Sequence, residues 1–456
     1  MKDRFGFNRE GVEGTQFWRR PEIGRRMFFR HLGAAVSGYF LLPGNSSETV
    51  ARAGVATKGT AKNCIFILML GGPSQIDTFD LKEGPWTPPN FAPTTYGDIR
   101  WPQGMMPDLA RHADSLVLLR SVRAWAAVHG LAQTWVQIGR NPTSAASRVA
   151  PHIGSVASLE LTAKDSSAVL PAFVSLNAAS GPGPGYLAPE HAPFYISPTG
   201  GGLGNTQHSM GAARFDRRYG LLMAMDSELR TTGDLGAAPA QTASFNLAAR
   251  RLVYNSDVDR VFLYDQNERN RYGNSAFGNS CIAARNLLQA NMGVRFIQIT
   301  QGNWDQHENI FTPNSGHLSL MSQFDKGLGT LITDLKAGGQ FDETLIVAMG
   351  EFGRTTGNLN PQRGRDHLLQ QAVLVAGARA RGGRVIGSTN AAGSDTQDPG
   401  WSRNRHIRAE DMEATMYSAL GIDWTTIRRD DPLGLGFAYV PSSDRDLYGP
   451  VNEIWD

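Results

Sequence analysis

Residues 345–357 read LIVAMGEFGRTTG. An apolar run, Leu345–Met349, passes without interruption into Gly-Glu-Phe-Gly-Arg. Such a run, ended by glycine, reads as a strand covered on both faces, as in parallel sheets. Glu351 is then the group presented at the carboxyl end of that strand. Gly350 and Gly353 on either side give the chain freedom to turn sharply there. Ligands of open α/β sheets bind beyond the carboxyl ends of the strands, so the next question is what other residues share that edge.

Three further strands read the same way. CIFILML, residues 64–70, ends at Gly71-Gly72 and is followed by Ser74, Asp77 and Asp80. VRFIQIT, residues 294–300, leads to Asp305 and His307. Asp366 and His367 stand just ahead of QAVLVAG, residues 371–377, after a loop rich in Gly and Arg. Between the strands lie helical stretches: HGLAQTWVQIG from His129, CIAARNLLQANMG from Cys281, and HLSLMSQFDKGLGTLITDLKAGG from His317, with apolar residues at helical spacing and glycine stops. Strands alternating with helices predict an α/β fold, a mostly parallel central sheet flanked by helices. One domain over residues 61–430 accommodates it. The Gly/Pro-rich stretch 178–210 reads as a long lid-like loop, and residues 431–456 as a C-terminal surface tail.

Composition sets outer limits. The chain has 456 residues with a net charge of +2 and no basic run, which argues against a nucleic-acid surface. Its two cysteines, Cys64 and Cys281, rule out a zinc–thiolate centre by count. They could pair in an oxidising compartment, although two buried thiols is the preferred reading. Near the N-terminus, Arg25-Arg26 precede Met27-Phe28-Phe29 and a short apolar stretch from Leu32 to Leu42, too short for a confident membrane span. Residues 1–53 read as a twin-arginine export signal with a small-residue cleavage site at Ala51–Ala53, the alternative being a basic amphipathic helix of a cytosolic protein. The expected location is periplasmic or extracellular, with membrane contact only through the signal. This segment holds nine Lys or Arg against five Asp or Glu, so its removal takes the net charge from +2 to −2.

Acids and imidazoles gathered at several strand ends suit Zn²⁺, Mn²⁺ or Fe, which accept mixed nitrogen and oxygen ligands. Two ions a few ångström apart would polarise an ester and stabilise both the attacking and the leaving oxygen. Each element has an ordinary alternative: a solvated turn for Asp305–His307, a helix cap or a pair with Arg354 for Glu351, a loop salt bridge with Arg363 or Arg365 for Asp366-His367, a core or helix-start histidine for His129, and turn or cap roles for Asp77 and Asp80. The metal reading rests on their lying together at one sheet edge.

LGGPSQIDTFD (70–80), WDQH (304–307), MGEFGRT (349–355), GRDH (364–367) and GGRVIGSTN (382–390) together resemble the secreted bacterial family called domain of unknown function 1501. That family is in turn similar to the alkaline phosphatase–sulfatase superfamily, which implies an alkaline-phosphatase-like fold. Residues 324–353 are similar to the sulfatase pattern of helix, Gly, Asp-x-Thr turn and a strand ending Ser-Asp-His-Gly. This puts Glu351 on a metal-binding Asp and Phe352 on its neighbouring His, so one ligand is lost. HLLQQAVLVAG implies a ligand role for His367, and WDQH resembles an Asp-x-x-x-His pair, with one intervening residue rather than three. HGLAQTWVQIGRNP places His129 where the superfamily nucleophile stands. The resemblance therefore implies one or two divalent transition metals on Asp305, His307, Glu351 and His367, completed by Asp77 and Asp366. His129 or Ser74 would serve the chemistry, and Arg354 or Arg365 would hold the anionic group. The expected activity is hydrolysis of phosphate or sulfate esters, on small molecules or polysaccharides. The rival expectation is a secreted binding or assembly protein with a cell-surface partner, since Phe352 and the missing Ser, Thr or Cys leave the site incomplete.

Overall fold

The computed structural model describes residues 55–162, 168–178, 180–207, 209–232, 238–313 and 316–456. The expected export segment, residues 1–53, lies outside the described residues. The central sheet has eight strands: β1 (Asn63–Met69), β2 (Leu116–Arg123), β3 (Phe173–Leu176), β4 (Phe194–Ile196), β5 (Phe296–Gln301), β6 (Thr344–Met349), β7 (Gln370–Gly377) and β8 (Arg384–Ile386), in spatial order β8-β2-β7-β6-β1-β5-β3-β4. All neighbouring pairs are parallel except those of β7, which runs antiparallel to both β2 and β6. The reversal matters for the site. The start of β7 lies at the same edge as the carboxyl ends of the parallel strands, and that start is where Asp366 and His367 stand.

Alternation along β1 shows why the sheet is buried on both sides. Ile65, Ile67 and Met69 enter one hydrophobic core, while Cys64, Phe66 and Leu68 enter the other. Each fully buried side chain of this size contributes about 1.5–3 kcal/mol. The flanking helices used below are α1 (His129–Ile138), α2 (Ile153–Thr162), α3 (Ala276–Ala290), α4 (Gly316–Ala337) and α5 (Ala409–Ala419). Helices α3 and α4 cover the first face, with Leu287, Leu328, Leu331 and Leu335 turned inward, and α1, α2 and α5 cover the second. Helix α3 starts at Ser275, whose hydroxyl accepts the Gly278 N–H at 3.0 Å. Cys64 and Cys281 are free and buried, in cores on opposite faces of the sheet. Among the described residues no helix is long and apolar enough to cross a membrane.

Two expectations change. The stretch 178–210 is not only a loop, because it supplies β4, the edge strand beside β3. Residues 431–456 are not a surface tail: Val440, Val451 and Ile454 are fully buried in the second core, and the Trp455 indole donates to the Ala378 carbonyl at 2.9 Å. The apolar residues of this segment are spaced irregularly among Asp, Ser and Gly, so no period betrays their burial.

Candidate metal centre

Beyond the carboxyl ends of β1, β5 and β6, side chains from four segments meet. Glu351 is wholly buried. Its carboxylate accepts the Gly71 N–H at 3.0 and 3.1 Å, the Gln133 side-chain amide at 3.1 Å and His129 Nδ1 at 2.7 Å. Gly71 sits at φ +112°, and a Cβ there would lie 2.5 Å from the Asp305 N, so the glycine admits both the turn and the close approach of the Asp305 loop. Gly350 and Gly353 are required for packing rather than for a left-handed turn: added Cβ atoms would come within 2.4 Å of Pro73 and 2.0 Å of the Gln370 carbonyl.

His129 opens α1, and Gln133 follows one helical turn later on the same face, so both reach Glu351. Asp305 and His307 come from the loop after β5. His367 pairs with Arg354 in a two-residue ribbon ahead of β7. Asp305 Oδ1 is the centre of the arrangement. It lies 3.1 Å from His129 Nε2, 2.9 Å from His307 Nε2 and 3.3 Å from His367 Nε2, and it accepts from Arg354 Nη2 at 2.5 Å. His307 Nε2 and His367 Nε2 are 3.0 Å apart.

The partners of the other ring nitrogens define these atoms. His129 Nδ1 faces the Glu351 carboxylate, His307 Nδ1 the Asp366 carboxylate at 2.7 Å, and His367 Nδ1 the Ala127 carbonyl at 2.9 Å. Those oxygens can only accept, so each Nδ1 carries a proton and each ring turns its Nε2 toward Asp305. Without protons on Nε2, the rings would crowd lone pairs around one carboxylate oxygen, an arrangement that a cation among them relieves. His129 Nε2 is buried and has no hydrogen-bond partner. Burial pushes the Asp305 carboxyl up. The Arg354 guanidinium outweighs that and holds it well below the usual carboxylate range. The hydrogen bond from His307 lowers Asp366, and burial pulls the Arg354 guanidinium down from its ordinary value.

The donor set fits a divalent transition metal. His129, Asp305 and His367 offer ligand atoms that all lie within 4.8 Å of one another. The 3.1 and 3.3 Å separations from Asp305 to the two imidazoles are close to the edge of a tetrahedral zinc site, about 3.3 Å for bonds near 2.0–2.1 Å. Imidazoles fixed through Nδ1 by carboxylate or carbonyl are the usual outer support of such ligands.

The remaining expected residues are placed differently. Glu351 does not join the cluster as a ligand: its oxygens are taken up by backbone, amide and imidazole donors, and it orients His129. Asp366 likewise supports His307 instead of facing the cluster. Asp77 and Ser74 lie beneath the site, not in it. Ser74 Oγ donates to Asp77 at 2.5 Å, Arg365 Nε donates to Asp77 at 2.7 Å, and all three residues are at most 1% exposed. Neither arginine is free to hold a ligand. Arg354 is spent on the carbonyls of Gly71, Gly72 and Arg365 and on Asp305. Arg365 is spent on Asp77 and the carbonyls of Thr355 and Gly357. Gln133 and the Ala127 carbonyl were not anticipated. The first has a legible signal, its spacing of four from His129; the second has none.

The family model described as "Protein of unknown function (DUF1501)" matches residues 61–430. The chain belongs to this family. No curated protein matches the sequence. Among solved structures, this DUF1501 chain is similar to the lipoteichoic acid synthase LtaP from Listeria monocytogenes (12% identity, 87% of this chain and 79% of the other covered, TM-score 0.37). It is also similar to a protein in the alkaline phosphatase superfamily from Vibrio parahaemolyticus (12%, 81% and 69%, TM-score 0.38) and to the phosphonate monoester hydrolase of Agrobacterium radiobacter (11%, 79% and 74%, TM-score 0.37).

Proposed function

We propose that this DUF1501 protein is an exported, metal-dependent hydrolase of phosphate or sulfate esters, and that His129, Asp305 and His367 hold its metal ion, zinc or manganese. The observation that carries the reading is His129 Nε2: buried, without a partner, and directed with His367 Nε2 at a single carboxylate oxygen. When bound, such an ion polarises an ester oxygen and makes water a better nucleophile near neutral pH. The chain supplies the rest. Glu351 and Ala127 fix the rings of His129 and His367 through Nδ1. Arg354 locks Asp305 against the Gly71-Gly72 turn. His307, with 43% of its side chain exposed, is held by Asp366 at Nδ1 and lies 3.3 Å from Arg354 Nη1 at Nε2; it is the exposed imidazole beside the ion that would pass a proton from attacking water to the leaving oxygen. His129 stands where a hydroxyl or thiol nucleophile would, so water is the attacking group in this reading.

The test is metal analysis of the full chain together with turnover of 4-nitrophenyl phosphate, 4-nitrophenyl sulfate and bis(4-nitrophenyl) phosphate. We expect bound metal in the native protein, its loss in His129→Ala and His367→Ala, and turnover of at least one ester that falls in parallel. Metal-free native protein overturns the proposal. Phe352 and the absent nucleophile favour a second reading, a secreted binding protein that retains the ion without turnover: stoichiometric metal with no turnover of any ester selects it.

A further inference from the structure

One buried carboxylate has no part in the chemistry above. Glu410 stands in the first turn of α5 and is 3% exposed. Its oxygens are taken up by two indoles rather than by a cation: Trp125 Nε1 donates at 3.0 and 3.1 Å, and Trp135 Nε1 at 2.9 Å. Burying a carboxylate is costly, and what this one secures is the orientation of two tryptophans. Trp135, on α1, stacks on Trp125 with ring centroids 5.9 Å apart and planes 22° apart. The Arg408 guanidinium lies 3.9 Å from the Trp125 ring centre and is itself held by the carbonyls of Arg123 and Ala124, at 2.9 and 3.0 Å. Trp125 is thus fixed by three neighbours, yet 42% of it is open to solvent.

This indole borders the metal centre. It stands two residues before Ala127, whose carbonyl holds His367, and four before His129. A narrow cleft lined by Trp125, Trp135, Val136 and Glu351 joins the tryptophan pair to the acid behind His129. From this arrangement we infer that Trp125 is a subsite for a sugar ring, and that the ester presented to the centre is carried by a glycan. The inference rests on the reading just given only in placing the ester at the metal centre; binding of the ring does not depend on turnover.

The chemistry of the surface favours a glycan over a protein partner. Trp125 and Val128 are the large apolar side chains exposed on this loop, far less than the roughly 800 Å² a side that a stable protein interface covers. A sugar ring needs less: one apolar C–H face against an aromatic, with hydroxyls at its rim meeting a few placed polar groups. Those groups are present. Ile407 bridges to Val122 at the end of β2, and both are buried in the second core, so Arg408 and Arg123 next to them turn to the other side. Arg123 is paired with Asp395, whereas Arg408 forms no ion pair among the described residues. A fixed indole also loses little freedom when a ligand settles on it.

The test is electrophoresis of the full chain in native gels cast with dextran sulfate, chondroitin sulfate or heparin, and with poly(vinyl sulfate) as a polyanion that has no rings. Retardation against polymer concentration gives Kd. We expect at least one polysaccharide to retard the native chain, with affinity about tenfold weaker in Trp125→Ala and largely kept in Trp125→Phe. Any binding of poly(vinyl sulfate) should be the same in all three. No retardation by any polysaccharide, equal retardation of Trp125→Ala, or the same loss with poly(vinyl sulfate) overturns the inference. So does self-association of the native chain on gel filtration that Trp125→Ala abolishes, which would make this surface a contact between copies. Ring binding without turnover of any ester would remove the hydrolase and leave this inference; turnover without ring binding would do the reverse.

Discussion

Two clusters, each built around an aspartate, lie at one end of the sheet and differ in burial and in the balance of donors and acceptors. The lower one, Ser74, Asp77 and Arg365, is buried, and every charged atom in it has a partner of the opposite kind. The upper one, His129, Asp305 and His367, is part-exposed and holds more acceptors than donors, with one ring nitrogen unpartnered. A closed, balanced cluster is architecture, because nothing added to it would gain a contact. An open cluster with surplus lone pairs is stabilised by a cation. Glu351 belongs with the lower group although it touches the upper one.

The largest expected effect breaks the lower cluster. Asp77→Ala leaves the Arg365 guanidinium buried without its carboxylate, and stranding one partner of a buried pair costs about 3–5 kcal/mol. Urea unfolding of the metal-free chain measures it, and the fraction that remains folded should bind as much zinc as the native protein. A small stability change accompanied by loss of zinc would merge the two clusters and undo the distinction. Next in size is Glu351→Gln, which removes the charge behind His129 Nδ1 but spares all three proposed ligands. Loss of an outer partner of this kind weakens metal binding about 10–100-fold, to be read by competition with a chromophoric chelator. Complete loss of the ion would make Glu351 a ligand after all.

The distinction between the clusters also marks the limit of what the sequence discloses. The sheet is legible because β1, β5, β6 and β7 are apolar runs ended by glycine or acid, and such runs have few other uses. The edge that carries the site is legible too, since Asp305, His307, Glu351 and His367 each adjoin a strand end. What could not be read is which acid is spent on what. Asp77 and Asp305 both follow strands at short distance, yet one meets Arg365, far along the chain, and the other meets three imidazoles. Those partners are set by β7 running against its neighbours, a fact that no local pattern in QAVLVAG contains. The buried C-terminal residues escaped for a similar reason: Val440, Val451 and Ile454 are isolated in a polar segment, and only tertiary contact makes them core.

His152 offers a test away from the site, as an imidazole counterpart of the lower cluster. It is 2% exposed, and both ring nitrogens are satisfied. Nε2 donates to the Gln298 side-chain oxygen at 2.7 Å, and Nδ1 accepts the Gly154 N–H at 2.8 Å. A proton on Nδ1 would face another N–H. Burial, opposed by the Gln298 hydrogen bond, pushes the ring down to about 3, whereas in an unfolded chain histidine titrates near 6.5. Between those values the unfolded chain binds a proton that the folded one does not. The contribution to stability is therefore complete above about pH 6.5 and is lost as pH falls toward 3, by about 1.4 kcal/mol per pH unit. Other buried groups titrate in the opposite sense, Asp325 among them, raised to about 7 by burial. The informative quantity is thus the stability of the native chain minus that of His152→Gln, followed by urea unfolding from pH 7 to 4. It should shrink steadily below pH 6.5. A difference that stays level across that range would mean that the ring accepts a proton inside the fold, and that satisfied hydrogen bonds are not what separates a structural histidine here from His129.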